Sequence, residues 1–243
     1  MKLIIFALTG LLSLATHLFA DYVGSPLGGV TVPSPGPFIL PSGDTMRYQQ
    51  VYGASDFQAI QNGGGLISDL YFHPFKPLGG LFIIITNLQI NLSTTAKQPD
   101  GLSLTFAQNL GGDDKVVFSG PLQLRTGTGV GDASIGIHLS TPFYYNPNAG
   151  NLLLDVRNFG DSGFGPIYGT DLAAENSLGD TVSLVAGQPV GASLAEGSST
   201  YGLVTLFSVT PVPEPNSFLL LILGGFPVWL LARRRGIRKR QTL

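Results

Sequence analysis

Cysteine is absent from this 243-residue chain, which excludes a disulfide framework, a thiolate nucleophile and any cysteine-ligated zinc site. Histidine is scarce, with only His17, His73 and His138 to serve as bases or metal ligands. Charge is sparse as well, at 12% of residues, and it is unevenly placed. Six of the 13 basic residues fall between 233 and 240, and Lys2 stands alone at the start. Between residues 21 and 210 lie all 15 acidic residues except Glu214 but only six basic ones, a net of about −8. An acidic body without clustered Lys and Arg is unsuited to phosphate, which disfavours DNA, RNA or anionic lipid headgroups as its partner, and no nucleic-acid partner is expected. Long helical periodicities are missing too, leaving turns and alternating runs to explain the middle of the chain.

The two ends are apolar. Lys2 gives a positive n-region, Leu3 to Ala15 an apolar stretch, and Leu18-Phe19-Ala20 before Asp21 a cleavage site, so residues 1–20 are expected to be a secretory signal peptide. At the other end, residues 211–243 contain Val212-Pro213-Glu214-Pro215, then the sixteen uncharged residues Ser217 to Ala232, then Arg233, Arg234, Arg235, Arg238, Lys239 and Arg240. As a helix, 217–232 would reach about 24 Å at 1.5 Å per residue. Snorkelling arginines and an interfacial Trp229 help it across a ~30 Å hydrocarbon core. Gly224, Gly225 and Pro227 suit a membrane helix better than a soluble one. The basic cluster at 233–240 belongs on the cytoplasmic side, which places everything before the span outside.

A Pro-Glu-Pro signature, a short membrane segment and a basic cluster, in that order, resemble the PEP-CTERM sorting signal over Val212 to Arg240. The resemblance implies export, transient anchoring in the inner membrane, processing by an exosortase-type enzyme at a signature matched by Pro213, Glu214 and Pro215, and delivery to the cell surface or an extracellular polysaccharide matrix. The body has a layout similar to that of other proteins of this group around Arg47–Tyr52, Leu88–Thr94 and Thr141–Asp155. That similarity brings no activity with it.

Residues 21–43 hold Pro26, Pro33, Pro35, Pro37 and Pro41 among Gly and Ser, and are expected to be an extended leader. Ser55 and Gln58 fit a capping box opening a short helical turn. From Leu66 the period is two. Leu88, Ile90 and Leu92, then Leu102, Leu104 and Phe106, then Ile135, Ile137 and Leu139 alternate with polar or small residues. Leu152, Leu154 and Val156, Val182 with Leu184, and Tyr201, Leu203, Phe207 and Val209 continue the pattern. Turn clusters at 98–101, 111–114, 127–131, 146–148 and 160–163 separate these runs. The expectation is an all-β domain over 44–210, an antiparallel β-sandwich of about eight to ten strands, the jelly roll being one such arrangement.

No catalytic set emerges. Gly160-Asp161-Ser162-Gly163 has the form of a serine-protease loop, but Phe164 follows it and neither His73 nor His138 lies in a protease context. Gly127-Thr128-Gly129-Val130-Gly131 lacks the strand–helix setting of a phosphate cradle. Asp113, Asp114, Asp132, Asp155 and Asp161 offer oxygen ligands without the spacing of a calcium loop, so no metal or cofactor is expected. Tyr48, Tyr52, Tyr71, Phe143, Tyr144 and Tyr145 could stack on sugar rings or fill the core. Phe143, Tyr144 and Tyr145 are the candidate glycan contacts. The leading expectation is therefore a non-enzymatic exported matrix protein, with a carbohydrate-binding module and a polysaccharide hydrolase as alternatives.

Overall fold

The computed structural model describes residues 21–26, 31–38, 40–41, 43–75, 82–125, 135–160, 162–163 and 171–212. The expected signal peptide, the sorting signature, the apolar span 217–232 and the basic cluster lie outside these residues. Among the described residues no helix is long and apolar enough to cross a membrane. The described residues are all-β in architecture, with fourteen strands and three 3₁₀ turns among them.

In chain order the strands are β1 (Asp21–Ser25), β2 (Thr31–Ser34), β3 (Met46–Tyr52), β4 (Gly65–Phe72), β5 (Phe82–Thr95), β6 (Lys115–Arg125) and β7 (Ile135–Tyr145). They continue with β8 (Asn151–Asn158), β9 (Ser162–Gly163), β10 (Leu172–Glu175), β11 (Val182–Gly187), β12 (Gly197–Ser199), β13 (Gly202–Leu203) and β14 (Thr205–Pro211). Every strand pairing among the described residues is antiparallel. One sheet has the order β1-β14-β4-β7, a second β12-β11-β3-β8-β5-β6 with β9 added beside β5, and a small third β13-β10-β2.

Alternation decides which side chains meet. In β7, Ile135, Ile137 and Leu139 are buried while Gly136, His138 and Ser140 are exposed. These residues join Ile67, Leu70, Phe207 and Val209 of the four-stranded sheet in one hydrophobic cluster with Leu88, Ile90, Leu92, Leu152, Leu154 and Val156 of the large sheet. Burying a side chain of this size contributes about 1.5–3 kcal/mol. Aromatic rings fill the end of this core nearest the 3₁₀ segment Ala54–Ile60. Phe57 of that segment packs edge-on against Tyr145 at 4.9 Å and tilts against Phe207 at 5.2 Å, and Tyr52 meets Phe207 edge-on at 5.0 Å.

Three expectations are corrected. First, the Pro-rich segment from Asp21 to Gly43 is largely part of the fold rather than a leader. β1 pairs with β14 from Asp21↔Val209 to Ser25↔Thr205, β2 pairs with β10, and Phe38 is fully buried against Phe72 with ring centroids 5.1 Å apart. Pro33 is the one of its prolines inside a strand, and a sheet tolerates it there because β2 is an edge strand. Second, Ser55 does not cap the turn. Gly53 occupies the N-cap without a side-chain bond, and Asp56 instead accepts hydrogen bonds from the Ser25 and Thr181 hydroxyls. Third, Leu102 to Phe106 is not a strand. Phe106–Gln108 is a 3₁₀ turn, with Phe106 buried and Leu104 exposed.

Phe38 thus tests whether 21–43 belongs to the body. Phe38→Ala should cost about 3–5 kcal/mol, lowering the melting temperature by roughly 10 °C. Thermal denaturation followed by circular dichroism checks this, and an unchanged melt would return the segment to a leader.

Candidate functional site

The outer face of β1-β14-β4-β7 carries the side chains that the core leaves over. Register sets them in rows. Tyr22, Ser208, Asp69 and His138 are partners across all four strands, and the neighbouring outward row is Gly24, Leu206, Tyr71 and Gly136. Beyond the irregularity between Ile67 and Asp69, Thr210, Leu66 and Tyr144 form a third row. That irregularity leaves Ser68 beside Asp69. An extra residue of this kind re-aims neighbouring side chains on one strand.

The middle of the face is polar and ordered. The His138 Nδ1 lies 2.7 Å from Asp69 Oδ1, and the Ser68 hydroxyl donates to Asp69 Oδ2 at 2.6 Å. Tyr71 and Tyr22 meet edge-on, with centroids 6.0 Å apart and planes at 63°. Tyr71 lies against Gly136, where an added Cβ would stand 3.1 Å from a ring carbon. Burial, then the nearby Asp69 carboxylate and Tyr22, raise the Tyr71 phenol above its ordinary pKa, so it is a neutral hydrogen-bonding group at neutral pH. Tyr22 is 63% exposed and Tyr144 48%.

Of the expected glycan contacts, Tyr144 alone is on this face. Its hydroxyl donates to the Gly63 carbonyl at 2.8 Å. Phe143 and Tyr145 are buried, and Tyr145 donates to the Gly150 carbonyl within the structure, so a three-residue aromatic rim is replaced by a single ring. Alternation along β7 is the reason. Tyr48 and Tyr52 are core residues as well, the first donating to Gln50 and the second bonded to Thr205. Burial raises both phenols well above their usual range. Tyr22 and the Asp69–His138 pair were not among the expected contacts. Outward alternation of His138 was legible in the sequence, but its cross-strand partner depends on register.

The carboxylates considered as calcium ligands have other partners. Asp155, almost fully buried on β8, takes a bidentate bond from Arg47 (3.1 Å from Nε, 2.6 Å from Nη2), with Arg157 at 3.3 Å and the Gln49 amide at 3.2 Å. Phe106 lies against the same guanidinium, 4.7 Å from Arg47 to the ring centroid. Asp114 accepts from the Asn91 amide at both oxygens, and Asp113 from the Thr94 backbone N–H. Asp132 and Asp161, and the glycine loop 127–131, lie outside the described residues. Among the described residues no three His, Asp or Glu side chains come together as a metal-binding group. Ser162 and Gly163 form β9 against Ile85 and Ile84, whereas His138 is on the other sheet.

Comparison with protein-family models, with curated proteins and with solved structures finds no match.

Two substitutions separate the roles of these carboxylates. Arg47→Ala should cost about 3–5 kcal/mol, because it removes the principal partner of a buried charge. Chemical denaturation measures it. Asp114 behaves oppositely. Burial raises its carboxyl pKa, with the Asn91 bond pulling it back, so the folded state holds this proton more tightly than the unfolded chain. This group's contribution to stability therefore falls as pH rises from the ordinary carboxylate value near 3.9 through the raised one. Asp114→Asn should flatten that part of the melting-temperature profile, and an unaltered pH profile would contradict the assignment.

Proposed function

We propose that this chain is an exported, non-enzymatic protein of the cell surface or extracellular polysaccharide matrix, sorted through its C-terminal signal. One observation carries the reading. Pro213-Glu214-Pro215, the uncharged stretch Ser217 to Ala232 and the basic residues Arg233 to Arg240 follow one another in the order required for recognition, membrane anchoring and cytoplasmic retention. An exosortase-type enzyme is the processing partner. The body is a β-sandwich, its four-stranded and large sheets enclosing one core.

The body supports this reading in two ways. The last strand among the described residues, β14, ends at Pro211, and the Val212 N–H bonds to the Gly64 carbonyl at 2.9 Å, so β14 lies wholly before the signature. A processing enzyme acting after Val212 would leave the sheet untouched. The buried acids are also engaged in holding the fold. Asp155 is paired with two guanidinium groups, and Asp56 accepts two hydroxyl bonds.

Changing Glu214 and Pro215 together to alanine should leave export intact and block maturation, since the signal peptide and basic cluster are unaltered. Pulse-chase labelling with membrane fractionation should show a precursor accumulating in the membrane. Normal maturation of the double variant would remove the tail from the exosortase assignment.

A further inference from the structure

On the outer face of β1-β14-β4-β7, two rings stand as floor and wall. Tyr71 is the floor. It lies against Gly136, the residue opposite it on β7, with Leu206 opposite it on β14 and Gly24 one strand further on, so the ring is flanked by a small residue on its β7 side. Tyr22 is the wall, set at 63° to the floor with its ring mostly in solvent. Core packing does not account for a tyrosine left 63% exposed on an edge strand.

We propose that this corner is a binding subsite for one pyranose unit of a neutral polysaccharide, with Tyr71 and Tyr22 taking the sugar's C–H surfaces and Asp69 and His138 its hydroxyls. A pyranose presents an apolar C–H face and a polar rim, the same division as a half-buried ring beside a carboxylate. The rim partners are already aimed. His138 fixes one Asp69 oxygen and Ser68 the other, each oxygen keeping a lone pair for a hydroxyl donor. With Nδ1 engaged, Nε2 is the imidazole nitrogen left for the ligand, on a side chain that is 80% exposed.

Charge selects the class of polymer. The three outward rows contain no Lys or Arg, and their ionisable groups besides tyrosine are Asp69 and His138. The body around them carries a net charge of about −8. A polyuronate, a sulfated glycan or an anionic lipid surface would meet repulsion with no compensating cation in these rows. A second copy of the chain fits less well, because the apolar residues Tyr22, Leu206, Tyr71, Leu66 and Tyr144 are interrupted by Ser208, Asp69 and His138 rather than forming one apolar patch.

The proposal rests on delivery to a polysaccharide matrix, which brings the polymer to the face. Its test is separate from that of sorting. Full-length chain in mild detergent is run by affinity electrophoresis through gels containing dextran, hydroxyethylcellulose, glucomannan or polygalacturonate. Retardation is expected in at least one neutral polymer and not in polygalacturonate. Tyr22→Ala should weaken it at least tenfold with an unchanged thermal melt, since an exposed ring supports little of the fold. Tyr22→Phe should retain it, and Gly136→Val, which displaces the floor, should abolish it. The proposal is overturned by no retardation in all three neutral polymers, by stronger retardation in polygalacturonate, by full binding in Tyr22→Ala, or by a concentration-dependent dimer that Tyr22→Ala dissolves. Normal maturation of the Glu214/Pro215 variant with binding intact would remove the sorting assignment and leave the subsite standing.

Discussion

Strand β8 is covered on both faces, and much of the large sheet follows from that constraint. Because successive side chains point to opposite faces, Leu152, Leu154 and Val156 go to the inter-sheet core while Leu153, Asp155 and Arg157 go to the other side. A carboxylate buried there is tolerable only if it is paired and hydrogen-bonded. The neighbouring strand supplies that pairing through register, since Gln49 is opposite Asp155 and Arg47 opposite Arg157. The 3₁₀ turn at Phe106–Gln108 then closes over the pair. Phe106 lies against Arg47 and its carbonyl accepts from Gln49, while Asn109 donates to Gln49 Oε1. A segment that would otherwise be a surface connection is thereby fixed to the sheet by the charge beneath it.

The other sheet is closed at its edge by β1. This strand has little apolar content, but it completes the ladder of β14 and contributes Val23 to the core and Ser25 to Asp56. Asp56 ties three segments together, because its carboxylate takes hydroxyl donors from β1 and from Thr181 just before β11 while Phe57 beside it enters the core. Antiparallel pairing also places Asp21 opposite Val209, so the beginning of β1 and the end of β14 leave the same end of the sheet. On the sorting proposed above, cleavage before Asp21 and after Val212 would both fall outside the ladder and leave this sheet intact.

Period-two alternation made β5, β7, β8, β11, β13 and β14 legible, and it picked out the core-facing residues of β7 and β8 without knowledge of any partner, although the second face of β8 is buried as well. It failed where an apolar residue is buried by something other than a strand. Leu102, Leu104 and Phe106 alternate as a strand would, yet Phe106 is held by the guanidinium and amide groups of β3, a long-range contact that local pattern does not encode. The prolines of 21–43 misled in the opposite direction. Proline signals an absent N–H, which is harmless for Pro33 on the unpaired side of an edge strand, and the other four lie outside the strands. The candidate face was legible only in fragments. His138 and Tyr71 could be placed outward or half-outward from alternation, whereas the row joining Tyr22, Ser208, Asp69 and His138 exists only once three separate pairings fix their registers.

The tyrosines show how one residue type is divided between the core and the outer face. Tyr52 and Tyr145 are fully buried with their hydroxyls bonded inside the structure, and burial raises both phenols, so neither presents a face to a ligand. Tyr144 follows Phe143 and precedes Tyr145, yet the pleat turns it outward. Sequence proximity therefore groups three aromatics that the sheet separates, while strand pairing brings together Tyr22 and Tyr71, 49 positions apart in the chain. Two rings at an angle can hold a non-planar solute on two sides, which one exposed ring cannot. Since β1 supplies one of the two rings, the strand that completes the sheet also completes the corner.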